Sequence, residues 1–352
     1  MQSVKVRSSR AALLVKQRAP LVFAEVEFPA TLAAGQVLVR VAVSGICGSQ
    51  LGEIDGVKGE DKFLPHLLGH EGSGTVLEVG PGVRYVQKGD KVVLHWRKGL
   101  GIESDTPTYT WEGRTLNAGW VTTFNEYAIV SENRLTRIPP DSDLEVAALF
   151  GCAVTTGFGV VVNNARLSIG ESVVVFGAGG VGLNIVQAAS LVSAYPIIAV
   201  DLHDNRLELA KQLGATHVIN SRLEDGEKRI KEIAAGGVDV FIDNTGSPPV
   251  IQMGYGLVRA NGRVVLVGVP MKGAETSLYT LPLHFGKRVL GSHGGEASPA
   301  EDIPRYFNLF REGRIRLREL MTDRFTLDEI NTAIARMRDG SVSGRCLIVF
   351  DS

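Results

Sequence analysis

The chain has 352 residues, 44% of them hydrophobic and 21% charged, with a formal net charge of −1. That balance is ordinary for a globular protein and leaves no electrostatic footprint for nucleic acid or an anionic membrane; the length calls for two domains rather than one core. No apolar run approaches the roughly 18 residues of a membrane span, and the opening "MQSVKVRSSRAALLVKQ" lacks the apolar centre of a signal peptide. Three cysteines, at 47, 152 and 346, cannot build a disulfide framework, so a reducing, cytoplasmic setting is expected.

Up to about residue 150, short strands alternate with Gly, Pro and Asp turns: "AALLVKQ", "VLVRVAVS", "GSGTVLEVG", "DKVVLHW", "FNEYAIVS" and "LTRIPP". Regular turn signals without long helical patterns indicate an all-β, barrel-like unit. Within it, "SGICGSQLG" sets Cys47 on a turn, and "PHLLGHEGSG" sets His70 and Glu71 between apolar strands. The texture changes near Leu149, where "LFGCAVTTGFGVVV" carries Cys152. From there apolar strands such as "SVVVFG", "PIIAVD", "VDVFID" and "GRVVLVGV" alternate with amphipathic helices, the pattern of a doubly wound parallel sheet. After about residue 293, two helical patterns and a last strand, "GRCLIVF", break the alternation, so the tail is expected to return to the first unit. The expected division is residues 1–153, completed by 294–352, and residues 154–293.

"VVVFGAGGVGLNIVQAA" holds Gly177, Gly179 and Gly182 in G-x-G-x-x-G spacing, behind an apolar strand and at the opening of a helix. That context lets Gly177 make a tight turn, Gly179 admit a pyrophosphate and Gly182 pack helix on strand. Gly180 and Val181 complete the turn, and the helix N-terminus adds free N–H groups and partial positive charge. The next strand ends at Asp201, whose carboxylate suits the adenosine ribose hydroxyls and repels a 2′-phosphate. Dinucleotide binding, with NAD preferred over NADP, is the expectation.

Alone, a cysteine among small residues is more often a packed hydrophobe, and a histidine on a turn is more often a hydrogen-bonded structural residue. Together, Cys47, His70 and Cys152 offer one imidazole and two thiolates, a set suited to tetrahedral zinc with an open fourth position. Their separations in sequence are long, so the fold must assemble them.

The segments "GICGSQ", "GHEGSGTVLEVGPGV", "GDKVV", "GCAVTTGFG", "VVVFGAGGVG" and "SGRCLIVF" occur in the order that closely resembles the zinc-containing medium-chain alcohol dehydrogenases, over nearly the whole chain. The resemblance implies an α/β architecture: a GroES-like, partly open β-barrel catalytic domain interrupted by a Rossmann domain. It implies that Cys47, His70 and Cys152 ligate a catalytic zinc, that Glu71 is a carboxylate able to approach the metal, and that Ser49 takes the alcohol proton. It places His95 and Trp96 at the substrate pocket. Thr156, Val267, Gly291 and His293 join the glycine turn as coenzyme contacts, and Arg206 and Arg345 lie where the family has basic residues near adenosine and pyrophosphate. Cys346 has no such match and reads as core. The implied activity is hydride transfer between NAD(H) and a primary or secondary alcohol, aldehyde or ketone, in a homodimer or homotetramer. A polyol or sugar dehydrogenase is the nearest alternative, disfavoured by Cys152 because many of those use a carboxylate as third ligand. A nucleotide-binding sensor without catalysis is the alternative of another kind, and the intact ligand set argues against it.

Three positions depart from the family pattern. The segment "LHWRKGLGIESDTPTYTWEGRTLNAGWVTTFNEY" has none of the four cysteines of a structural zinc lobe, so one zinc per chain is expected. All three tryptophans (Trp96, Trp111 and Trp120) fall there, where aromatic packing can order the lobe without metal. Gln50 stands where an Asp usually orients the zinc-ligating histidine; it can accept that hydrogen bond but lacks the charge. Gly52 stands where the family often carries a proton-relaying histidine.

Overall fold

The computed structural model describes residues 6–351. One compact unit runs to Cys152 and resumes at Ser298; the other spans Ala153–Ala297.

In the first unit the long strand Gln36–Ile46 is the spine of a seven-stranded sheet. The order is Leu135–Arg137, Lys91–His95, Glu71–Val79, the spine, Arg345–Val349 and Met321–Phe325, with Tyr127–Ser131 also pairing the spine. A second sheet runs His66–Leu67, Ser8–Leu14, Val22–Glu27, Tyr109–Trp111 and Arg114–Leu116. The spine shows why the barrel holds. Val37, Val39 and Val41 enter one apolar cluster with Phe124 and Leu94, while Leu38 enters another with Leu13, Leu116 and Ile129. Alternate side chains thus anchor a strand buried on both faces. The C-terminal strand docks antiparallel on the spine with Cys346 opposite Ile46, and burial pushes the Cys346 thiol up to about 12, as befits an inert core residue.

The lobe that lacks cysteines is pinned by a carboxylate. Buried Glu132 accepts from the backbone N–H groups of Arg84 and Tyr85 on one oxygen and of Ile102 on the other. Arg134 pairs with Glu103 at 2.8 Å and lies over the Trp120 ring at 5.1 Å, whose Nε1–H donates to the Ser104 carbonyl.

In the second unit six parallel strands are ordered His217–Asn220, Ile197–Asp201, Val173–Phe176, Val238–Asp243, Val258–Leu266 and Arg288–Gly291. Counted along the chain this is 3-2-1-4-5-6, so the direction of winding reverses between Val173–Phe176 and Val238–Asp243, the point where such sheets bind dinucleotides. Among the described residues no single helix is long and apolar enough to cross a membrane.

Candidate active site

The spine ends at Ile46 and passes into the helix Gly48–Ile54, with Cys47 as its N-cap at φ −100° and ψ 150°. His70 directly precedes the neighbouring strand Glu71–Val79, and Cys152 follows the short turn Leu149–Gly151. Gly151 is what lets that turn come close: a Cβ there would lie 2.3 Å from the Leu94 carbonyl oxygen and 2.8 Å from the Glu71 backbone. The result is that ligand atoms of Cys47, His70 and Cys152 all lie within 4.8 Å of one another, the two sulfurs 3.9 Å apart.

This donor set fits zinc. His70 Nε2 is buried with no hydrogen-bond partner, an arrangement costing roughly 1–3 kcal/mol unless a ligand satisfies the atom. The hydrogen bond with Cys152 holds the Cys47 thiol well below its ordinary value; His70 and Arg345 act the same way, against the opposing effect of burial. Two thiolates balance the charge of a divalent ion, and the imidazole completes three ligands with room for a fourth.

Gln50 Oε1 accepts from the Cys47 backbone N–H at 2.9 Å, which leaves the Gln50 amide nitrogen, a donor, facing His70 Nδ1. A ring that offers Nε2 to a metal carries its proton on Nδ1 and needs an acceptor there. A carboxylate has an oxygen for each donor, whereas the Gln50 amide has one oxygen for both. Glu71 lies outside the cluster of converging ligand atoms. It is fully buried and ion-paired with Arg345, itself only 4% exposed, and a Cβ on Gly45 would collide with the Glu71 carboxylate. The expectation that Arg345 meets a pyrophosphate therefore gives way to a different placement, in which its charge balances Glu71 inside the first unit.

Ser49 is exposed in the first turn of the helix, and Gly52 follows one turn later. Trp96 is half-buried and meets the His70 ring edge-on, centroids 6.4 Å apart at 60°, forming an aromatic wall beside the cluster. His95 departs from its expected place at the pocket. Its Nδ1–H donates to the Arg97 carbonyl at 2.7 Å and its Nε2 accepts from the Thr136 hydroxyl at 2.9 Å. Burial lowers its pKa to about 4, so it is a neutral residue tying two strands together, with no nitrogen left for substrate.

In the second unit the expected coenzyme residues gather at the C-terminal ends of the parallel strands: Gly177 after Phe176, Asp201, Val267 after Leu266, and Gly291. Gly177 has φ +95°, a left-handed conformation that favours glycine. A Cβ on Gly182 would lie 2.0 Å from the Gly177 carbonyl oxygen, while one on Gly179 would meet nothing within 4 Å. Open space above Gly179, at the start of the helix Gly180–Leu191 that Gly180 and Val181 begin, is the cradle a pyrophosphate requires. Asp201 Oδ2 accepts from Ala178 N–H at 2.8 Å, and Oδ1 from Leu202 and His203 at 2.8 and 3.1 Å, with Arg206 at 3.7 Å. The acid is thereby locked to the glycine turn. Thr156 Oγ1 is buried without a partner, and the Val267 N–H donates to the Asp243 carbonyl at 2.8 Å. His293 is exposed, its N–H donating to Glu296 at 3.0 Å.

Family models agree with both units: the alcohol dehydrogenase GroES-like domain over residues 33–140, and zinc-binding dehydrogenase over residues 180–312. The class-3 alcohol dehydrogenase of Cereibacter sphaeroides is 32% identical over 377 residues, covering 97% of this chain and 100% of the relative. The chain belongs to the zinc-containing medium-chain dehydrogenase family. An S-(hydroxymethyl)glutathione dehydrogenase of Synechocystis sp. is 34% identical over 360 residues, covering 94% of the chain and 97% of the relative. Among solved structures, benzyl alcohol dehydrogenase from Acinetobacter calcoaceticus superposes with a TM-score of 0.88 at 31% identity, covering 98% of this chain and all of that one. This dehydrogenase is an oxidoreductase, and its family implies zinc and NAD.

Sequence reasoning missed three features of the dehydrogenase. The Arg345–Glu71 pair joins residues 274 positions apart (345 − 71) and has no local signal. The Glu132 clamp takes its partners from Arg84, Tyr85 and Ile102, too far along the chain to leave a local signal. A second cluster, Glu53, Asp61 and His66, brings three ligand atoms within 4.8 Å without any motif spacing to announce it.

Proposed function

We propose that the enzyme is an NAD-dependent zinc alcohol dehydrogenase that interconverts a primary or secondary alcohol with its aldehyde or ketone. The observation that carries this reading is the convergence of Cys47, His70 and Cys152 around an otherwise unpartnered His70 Nε2. When bound, zinc supplies Lewis-acid chemistry that lowers the pKa of an oxygen ligand by several units, and NAD supplies the hydride acceptor. The chain's own residues do the rest. Cys47 and Cys152 hold the metal as thiolates, and Gln50 orients His70. Trp96 walls one side with π surface, which favours alcohols carrying an apolar or aromatic group. Ser49 would receive the alcohol proton, and because glycine at position 52 offers no imidazole to take it further, water reaching the exposed Ser49 would carry it away. Asp201 and the glycine turn would hold NAD, and Thr156, Val267, Gly291, His293 and Arg206 would supply its further contacts.

One catalytic zinc per chain and none in the lobe follows from the absence of cysteines between residues 95 and 125. The relatives' names span a glutathione adduct and benzyl alcohol, so the substrate class is alcohol and carbonyl compounds rather than one metabolite. The cytoplasm is the proposed location. A homo-oligomer is proposed because Met271, Tyr279, Leu281 and Phe285, each 48% exposed or more, lie in the connection between Val258–Leu266 and the edge strand Arg288–Gly291, exposed apolar side chains suited to a second copy.

The test is a panel of alcohols and aldehydes followed by NADH absorbance, with zinc measured on the same samples. Turnover with one tightly held zinc, lost from Cys152→Ser together with activity while NADH binding persists, is expected. Activity with no metal, or a preference for NADPH over NADH by kcat/KM, overturns the reading.

A further inference from the structure

We propose that Glu53, Asp61 and His66 form a second divalent-cation site, separate from the cysteine cluster. Glu53 lies in the helix Gly48–Ile54, Asp61 in the loop that follows and His66 at the start of the strand His66–Leu67. His66 Nε2 is 2.8 Å from Asp61 Oδ2 and 3.8 Å from Glu53 Oε1, and all three ligand atoms fall within 4.8 Å of one another. A tetrahedral ion bound at about 2.0–2.2 Å separates its ligands by about 3.4 Å, inside that range.

The proton count makes the case. His66 Nδ1 lies 2.9 Å from the Leu67 carbonyl, which only accepts, so Nδ1 carries a hydrogen. In the neutral ring Nε2 is then a lone pair, and it faces two carboxylates that are themselves acceptors. Three acceptor atoms then converge with no donor among them, a gathering that a bound cation would satisfy. An imidazole whose other nitrogen donates to a carbonyl is also the usual presentation of a metal-ligating histidine. Asp61 is held in place for this role: its Oδ1 accepts from Phe63 N–H at 2.8 Å, leaving Oδ2 for the site.

Charge and access agree. Two carboxylates neutralise a divalent ion, as the two thiolates do in the first cluster. His66 is 8% exposed and Asp61 11%, while Glu53 at 44% opens the site to solvent. Burial raises the Glu53 carboxyl above its ordinary value, and a cation relieves that effect. Two oxygens and one nitrogen form a harder donor set than Cys2His, suited to Zn²⁺, Mn²⁺ or Co²⁺ and weaker toward soft ions. Occupancy ties the helix bearing Ser49 and Gln50 to the strand that leads into His70.

Cobalt distinguishes the two sites. The protein loaded with one equivalent of zinc, which fills the cysteine cluster, is titrated with Co²⁺ and followed by absorption and by thermal unfolding. The expected result is one further equivalent of Co²⁺ with weak d–d bands, no sulfur-to-cobalt charge transfer, and a raised melting temperature. Asp61→Asn should abolish this uptake and Glu53→Gln weaken it by at least about tenfold, the first zinc remaining in both. Should Asp61→Asn fail to fold, the half-exposed Glu53→Gln decides. No second equivalent in the unmutated protein, or uptake unchanged in Glu53→Gln, overturns the proposal and leaves His66 as a structural residue held by Asp61 and the Leu67 carbonyl.

Discussion

The cysteine cluster and the Glu53–Asp61–His66 cluster each combine one imidazole with two anionic groups, and both lie in the same unit, yet their chemistry differs. In the first, the anions are polarisable thiolates in a buried setting, and His70 Nε2 has no protein partner. In the second, the anions are carboxylates reached by solvent, and His66 Nε2 already faces one of them at 2.8 Å. His95 completes the contrast, with both nitrogens satisfied by neutral groups. Histidine type decides nothing here. What each ring nitrogen faces sets the three apart: Nε2 of His70 has no protein partner, that of His66 meets a carboxylate and that of His95 a hydroxyl.

Substitutions can break this contrast, beginning with the largest effect. His70→Ala removes the only nitrogen donor of the cysteine cluster, so zinc and turnover should fall to background while NADH still binds. His66→Ala should leave that zinc in place. Metal analysis and NADH fluorescence titration of the two variants check this, and zinc loss from both would erase the distinction. Ser49→Ala should lower kcat by about 10²–10⁴, the usual range for a lost proton-transfer group, with zinc content unchanged. Steady-state kinetics from pH 6 to 9 test it, and an unchanged kcat would assign the proton to another group.

His95 makes a prediction through pH. Its pKa falls from 6.5 to about 4 on burial, so folding favours the neutral ring. The associated stability is complete above pH 6.5 and is lost as pH falls toward 4. It amounts to about 3 kcal/mol at roughly 1.36 kcal/mol per unit. His95→Gln should show a shallower decline in unfolding free energy between pH 7 and 4.5, measured by urea titration.

The smallest effect concerns Gln50. Gln50→Glu keeps the side-chain length and gives His70 Nδ1–H and Cys47 N–H an oxygen each, so zinc affinity should rise by about tenfold in competition with a chelator. Unchanged affinity would mean that an acceptor at His70 Nδ1 does not limit metal binding.

Much of this was legible in the chain, for reasons that differ by region. The parallel sheet announces itself because buried strands such as "SVVVFG" and "PIIAVD" are continuous apolar runs, and the glycine spacing reports a backbone requirement that Gly177 and Gly182 meet. Cys47, His70 and Cys152 became readable through neighbouring segments rather than spacing, since strand pairing and the Gly151 turn bring them together. Arg345, His95 and the Glu53 cluster escaped because their roles depend on partners the chain places far away or on which ring nitrogen faces what. Nothing in "HWRK" distinguishes a histidine held by Thr136 from one that lines a pocket.

The claim that the cysteine cluster holds the catalytic metal is tested most directly by zinc-edge X-ray absorption on the active enzyme carrying one zinc per chain. The account predicts two sulfur ligands at about 2.3 Å with nitrogen or oxygen at about 2.0–2.1 Å, and loss of one sulfur or of the metal in Cys152→Ser. A shell of nitrogen and oxygen alone, in protein that still turns over, would contradict it.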